Sequence, residues 1–249
     1  MVREEVVIVF LTQLDAARSA RPHMRSSVVF ENCRSGMAQT RYIVVDGPIG
    51  VGKTSLAKSL ASEFRARGVF EKVDDNPFLP KFYQDRETNA FQNQIFFLLS
   101  RYRQQRELIQ QDLFSQNTVA DYLFAKDRIF AMLTLSNEEM ALYEQLYRVL
   151  DPRVPKPDLV VYLQARPEIL YRRLKKRDKS YERAITPDYL REVDQAYREY
   201  FFRYDDSPLL VVQTSEIDFV ASSEDLADLI KEINGMGPGT QHYIPLGSR

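Results

Sequence analysis

The 249-residue chain has a single cysteine, Cys33, which rules out an intrachain disulfide and makes a reducing, cytoplasmic setting the expected one. No apolar run approaches the roughly 20 residues that a membrane-spanning helix needs, so no membrane partner is expected. Neither sign of charge dominates: 34 Lys and Arg face 35 Asp and Glu. That balance removes the usual footing for a nucleic-acid polymer as partner. There is no internal repeat and no low-complexity linker, which points to one catalytic domain over about residues 40–235.

Residues 1–39 read as a disordered, non-catalytic extension. The apolar stretch Val6 to Leu11 is too short for a usual signal-peptide core, and Glu4 and Glu5 stand where positive charge belongs. A targeting role, or a true start at Met37, are the alternatives. The Gly- and Pro-rich end, residues 236–249, reads as an irregular tail.

Between these ends, short β-branched runs alternate with helical patterns. Strands are predicted at Arg41 to Asp46, Val69 to Val73, Asn117 to Asp121, Asp158 to Leu163 and Leu209 to Gln213. Helices are predicted over Thr54 to Arg67, Phe82 to Leu113 with a break near Asp85 to Asn89, Leu123 to Leu150, Pro167 to Arg177, Pro187 to Tyr204 and Ser222 to Ile233. The alternation predicts an α/β fold: a five-stranded parallel sheet between two helical layers.

Gly47-Pro48-Ile49-Gly50-Val51-Gly52-Lys53-Thr54 fits the P-loop pattern G-x-x-x-x-G-K-[ST] between a predicted strand and a predicted helix, which is the context the motif requires. Its backbone N–H groups, together with Ser55 at the helix start, form a cradle for the phosphates of ATP. Lys53 is expected on the β- and γ-phosphates and Thr54 on Mg²⁺. Switch GTPases share this cradle, but the Asn-Lys-x-Asp string by which they hold guanine is missing. A kinase also needs an acceptor site and a base. Glu71 at a strand end faces the crevice where ligands sit in such sheets and can take a hydroxyl proton. Gln94 and Arg101, seven apart on one helix, share a face, and the Gln amide can pair with a base edge.

The run from Phe70 (FEKVDDNPFLPKFYQDRETNAFQNQIFFLLSRYRQQREL) resembles the deoxynucleoside kinase family, in its bacterial deoxyadenosine/deoxyguanosine kinase branch, and the resemblance extends over residues 41–215. It implies Glu71 as the base beside the 5′-hydroxyl and Gln94 on the nucleobase. It also implies Arg101 near base and hydroxyl, Tyr83 on the sugar 3′-hydroxyl and Phe130 stacked on the base. Animal members typically carry Arg-Ser where this chain has Asp121-Tyr122, and their later acidic residue falls at Lys126. Asp121, at the end of a strand, is expected to position Mg²⁺ as a Walker-B carboxylate does.

The basic run Arg172 to Lys179 reads as a solvated helix face or as a lid that brings cations to the phosphoryl group. The resemblance favours an Arg-rich lid, with Arg173 and Arg177 as its catalytic, ATP-binding arginines, Lys179 in place of a third, and Glu182 on the sugar. The expected activity is transfer of the γ-phosphoryl of ATP, with Mg²⁺, to the 5′-hydroxyl of a deoxyribonucleoside, purine preferred, in nucleotide salvage. Pyrimidine deoxynucleosides, a thymidylate-type monophosphate kinase and a nucleotide-dependent switch are the rivals. The family is commonly dimeric, and a homodimer is expected.

Overall fold

The computed structural model describes residues 41–111 and 117–245. The predicted N-terminal extension, the end of the predicted helix at Leu113 and the last four residues of the tail lie outside the described residues. Strand β1 (Tyr42–Asp46) runs into the Gly-rich loop and α1 (Lys53–Glu63). Next come β2 (Arg67–Val69), a 3₁₀ turn at Val73–Asp75, α2 (Leu79–Gln84) and the long α3 (Arg86–Gln111). The chain continues through β3 (Thr118–Ala120), α4 (Lys126–Thr134), α5 (Asn137–Leu150) and β4 (Leu159–Gln164). Then follow α6 (Pro167–Arg177), a 3₁₀ segment at Ser180–Ala184, α7 (Pro187–Phe202), β5 (Leu209–Gln213), α8 (Ser223–Gly235) and β6 (Thr240–Tyr243).

The sheet is fully parallel, in the order β2-β3-β1-β4-β5-β6. Its centre is dry: Val44, Val45, Leu159, Val160, Val161 and Leu163 are wholly buried. Each such side chain contributes roughly 1.5–3 kcal/mol by leaving water, and burial on both faces is what continuous β-branched runs specify.

Three expectations change. The sheet has six strands, not five, because the tail predicted as irregular turns at Gly239 (φ 86°) and pairs Thr240–Tyr243 along β5. The second strand ends at Val69 because its partner β3 ends at Ala120, so Glu71 follows the strand rather than lying in it. The helix predicted over Leu123 to Leu150 is two, parted where Ser136 caps α5. Its hydroxyl accepts from Glu139 N, and Glu139 accepts from Ser136 N in return, a reciprocal cap that fixes a helix start.

Candidate active site

The C-terminal ends of β1, β2 and β3 converge on a cavity of about 430 Å³ that also receives side chains from α2, α3, α4 and the segment after α6. On its floor the Gly-rich loop wraps the start of α1. Gly52 adopts φ 105°, and a Cβ there would come within 2.9 Å of the Phe219 ring, so the loop is shaped for glycine. Gly47 is equally confined, since a Cβ would lie 2.4 Å from Leu163 O. Lys53 donates to the carbonyls of Gly47 (2.8 Å) and Pro48 (3.1 Å). Burial, then the repulsion of nearby Lys126, pushes its ammonium down to about 8. Ile49 and Gly50 line the cavity, while Val51 packs into the core and Ser55 is exposed in the first turn of α1.

Asp121, just past β3, joins the two halves of the site. Its Oδ2 accepts from Thr54 Oγ1 at 2.5 Å and its Oδ1 from Glu71 N at 2.7 Å. The hydroxyl and the carboxylate present adjacent hard oxygen donors, which suits Mg²⁺, an ion that keeps waters and completes its shell with phosphate oxygens. Among the described residues there is no cluster of three or more His, Cys, Asp or Glu able to hold a metal by themselves.

Glu71 lies between two cations. Arg101 reaches its Oε1 through Nε (2.7 Å) and Nη2 (2.5 Å), and Lys126 Nζ lies 2.8 Å from its Oε2. Burial alone would raise the Glu71 pKa, but Arg101 and Lys126 outweigh it and hold the carboxyl well below the usual carboxylate range. The other side of Arg101 meets Asp127, a wholly buried carboxylate that accepts from Tyr143 OH at 2.8 Å. Lys126, Glu71, Arg101 and Asp127 thus alternate in sign, which lets four charges share a largely dry site.

Aromatic rings make up much of the remaining lining. Gln94 is buried and donates through Nε2 to Asp127 O at 2.8 Å. Phe130 lies edge-on to Tyr197 at 6.1 Å. Tyr83 stacks parallel to Tyr181, with centroids 6.2 Å apart, and burial raises its hydroxyl pKa well above the usual value. Arg177 grips Glu182 with two guanidinium nitrogens. Lys179 and Tyr181 OH both bond Asp74, at 2.9 and 2.8 Å.

Arg173 sits beside the Gly-rich loop. Its guanidinium donates to Val51 O (3.2 Å), Thr214 Oγ1 (3.2 Å), Thr214 O (2.9 Å) and Ile217 O (3.2 Å). With four acceptors engaged, it braces the phosphate loop against the segment after β5 and does not line the cavity. Sequence reasoning overlooked Asp127, and also Asp46, whose buried carboxylate accepts from Gly47 N (2.7 Å) and Leu123 N (2.8 Å). An acidic residue closing an otherwise apolar strand was the available signal for Asp46. Asp127 gave none, because its partners come from α3 and α5.

A sequence model of the deoxynucleoside kinase family matches residues 43–236. The chain is 34% identical over 200 residues to the deoxyguanosine kinase of Bacillus subtilis (strain 168), an alignment covering 77% of this chain and 97% of that protein. It is 29% identical over 206 residues to the deoxyadenosine kinase of Lactobacillus acidophilus (strain ATCC 700396 / NCK56 / N2 / NCFM), covering 77% and 94%. The fold is similar to that of deoxyadenosine kinase from M. mycoides with bound dATP, at a TM-score of 0.67 and 22% identity, over 78% of this chain and 99% of that one.

Proposed function

The chain belongs to the deoxynucleoside kinase family, and from that premise we propose that it transfers the γ-phosphoryl of ATP to the 5′-hydroxyl of deoxyadenosine or deoxyguanosine. The observation that carries this reading is the placement of Glu71. Its side chain sits in the same cavity as Lys53 and Thr54, so an acceptor hydroxyl and a donor phosphate can meet there. Glu71 takes the hydroxyl proton, O5′ bonds to the γ-phosphorus, and the bond to the bridging oxygen breaks with its electrons leaving on ADP. The charge that develops needs fixed cations around it. Lys53 and Arg101 serve from below, and Arg177 serves from the lid when it lets go of Glu182.

Thr54 and Asp121 would hold Mg²⁺, which would supply positive charge to the donor phosphates. Gln94 reads the base edge with Phe130 against its face, while Tyr83 and Glu182 hold the sugar. The purine preference rests on the deoxyguanosine and deoxyadenosine kinases among the relatives. A panel of four deoxynucleosides and their monophosphates, with ATP and Mg²⁺, tests the reading. Purine deoxynucleosides are expected to be phosphorylated fastest, and faster turnover of a monophosphate would overturn it.

The active form is a homodimer formed through α5. Leu142, Leu146 and Val149 recur at helical spacing on that helix and are 55%, 43% and 57% exposed, an apolar stripe left open among the described residues, of the kind that marks an interface. Sedimentation of the native chain and of Leu146→Glu tests this, the variant being expected to run as a monomer. The single cysteine supports a reducing, cytoplasmic location, and no helix among the described residues is long and apolar enough to cross a membrane.

A further inference from the structure

Resting on the reading of Glu71 as the base, we infer that Lys126 is a further catalytic residue, whose ammonium faces the reacting oxygens and stabilises the negative charge that gathers on them during transfer. Lys126 opens α4, its side chain is only 3% exposed, and it lines the same cavity as Lys53 and Glu71. Its Nζ lies 2.8 Å from Glu71 Oε2 and 5.8 Å from the centroid of the Tyr122 ring. The ammonium therefore shares one cavity with Glu71, on the acceptor side, and Lys53, on the donor side.

A purely structural ion pair accounts poorly for this placement. Arg101 already supplies Glu71 with two N–H donors, at 2.7 and 2.5 Å, so the carboxylate is anchored without a second cation. Burying a second ammonium beside Lys53 adds desolvation and like-charge repulsion. Such an arrangement is favourable when an anion later arrives between the two lysines, and the transferring phosphoryl is that anion. Asp121 is not its counter-ion in waiting, since both carboxylate oxygens are engaged, by Thr54 and by Glu71 N. Asp121 and Lys126 both contact Glu71, one at its backbone and one at its side chain.

The timing follows from the charges. In the resting site Glu71 is an anion shared by Arg101 and Lys126. When the 5′-hydroxyl proton moves to Glu71, that anion is neutralised. Lys126 loses its partner in the same step that places negative charge on O5′ and the phosphoryl oxygens. It acts by donating hydrogen bonds to those oxygens.

The test compares the native chain with Lys126→Met, Lys126→Arg and Glu71→Gln. Turnover is measured with deoxyadenosine and deoxyguanosine, and nucleoside affinity is measured without ATP by equilibrium dialysis. Lys126→Met is expected to lower kcat by about 10²–10³-fold, the usual loss when one charge-stabilising donor is removed. Nucleoside affinity should change by less than about threefold, and Lys126→Arg should recover at least about tenfold of the lost rate by restoring the charge. A folded Lys126→Met with kcat within about threefold of native overturns the inference. So does a loss of nucleoside affinity as large as the loss of kcat, which would mark Lys126 as a structural residue. Should the methionine variant fail to fold, Lys126→Gln reads the same quantities with a neutral donor in place. Full activity in Glu71→Gln would instead sink the underlying reading of the base, so the two failures are distinguishable.

Discussion

The Thr54 hydroxyl donates to the Asp121 carboxylate over 2.5 Å, tying the first turn of α1 to the end of β3. Because Asp121 also holds Glu71 N, one carboxylate sets the spacing between Thr54 and the backbone of Glu71. Asp121→Asn keeps the size and loses the charge. It should raise the Mg²⁺ concentration for half-maximal rate by about 10–100-fold, the usual cost of disturbing a group that orients a metal ligand. A Mg²⁺ titration of initial rate reads this, and an unchanged midpoint would remove Asp121 from the metal site.

Glu71→Gln should lower turnover by about 10²–10⁴-fold, the range for loss of a general base, while the deoxynucleoside still binds. Gln keeps one acceptor oxygen, enough for Arg101 or Lys126 but not for both, and cannot take a proton. Single-turnover rates at saturating nucleoside provide the measurement.

Tyr83 and Tyr181 form a parallel aromatic wall of the cavity. Tyr83→Phe should cost about five- to tenfold in kcat/KM for deoxynucleosides, roughly the worth of one hydrogen bond. Tyr83→Ala should open room at the sugar and narrow the preference for deoxyribose over ribose. Competing the two sugars in one assay checks both statements.

Asp74 latches the segment after α6 through Lys179 and Tyr181, and those hydrogen bonds lower its pKa against a small opposing effect of burial. A carboxylate whose folded pKa is depressed adds stability above its unfolded value, about 3.9, and loses it as pH falls through the folded one. Asp74→Asn should therefore melt slightly below the native chain at pH 7 and together with it in acid. The gap should be under about 1 kcal/mol, because the pair is exposed. Thermal denaturation of both proteins across pH 2–7 decides it.

Much of this molecule was legible in the sequence, and the reasons differ by element. The phosphate loop was legible because its constraints are local: glycine at positive φ, a lysine and a hydroxyl at fixed offsets. The buried strands β4 and β5 were legible because continuous β-branched runs admit few other fates. Asp127 was not, since its meaning comes from Arg101 on α3 and Tyr143 on α5, which only tertiary packing brings to it. The partners of Arg173 were hidden for a related reason. A basic helical run announces charge but not direction, and the carbonyls of Val51, Thr214 and Ile217 that capture it lie far away in sequence. β6 escaped notice because Thr-Gln-His-Tyr is polar, short and nearly all exposed, with no alternation to betray a strand.

That short strand bears on how the protein can be trimmed. The family match stops at residue 236, an inviting place to cut. A chain ended there would expose the ladder edge of β5, whose Leu-Leu-Val-Val run is almost fully buried in the whole molecule. A bare hydrophobic edge is a template for self-association, so the shortened enzyme is expected to precipitate where the chain kept through Tyr243 remains in solution.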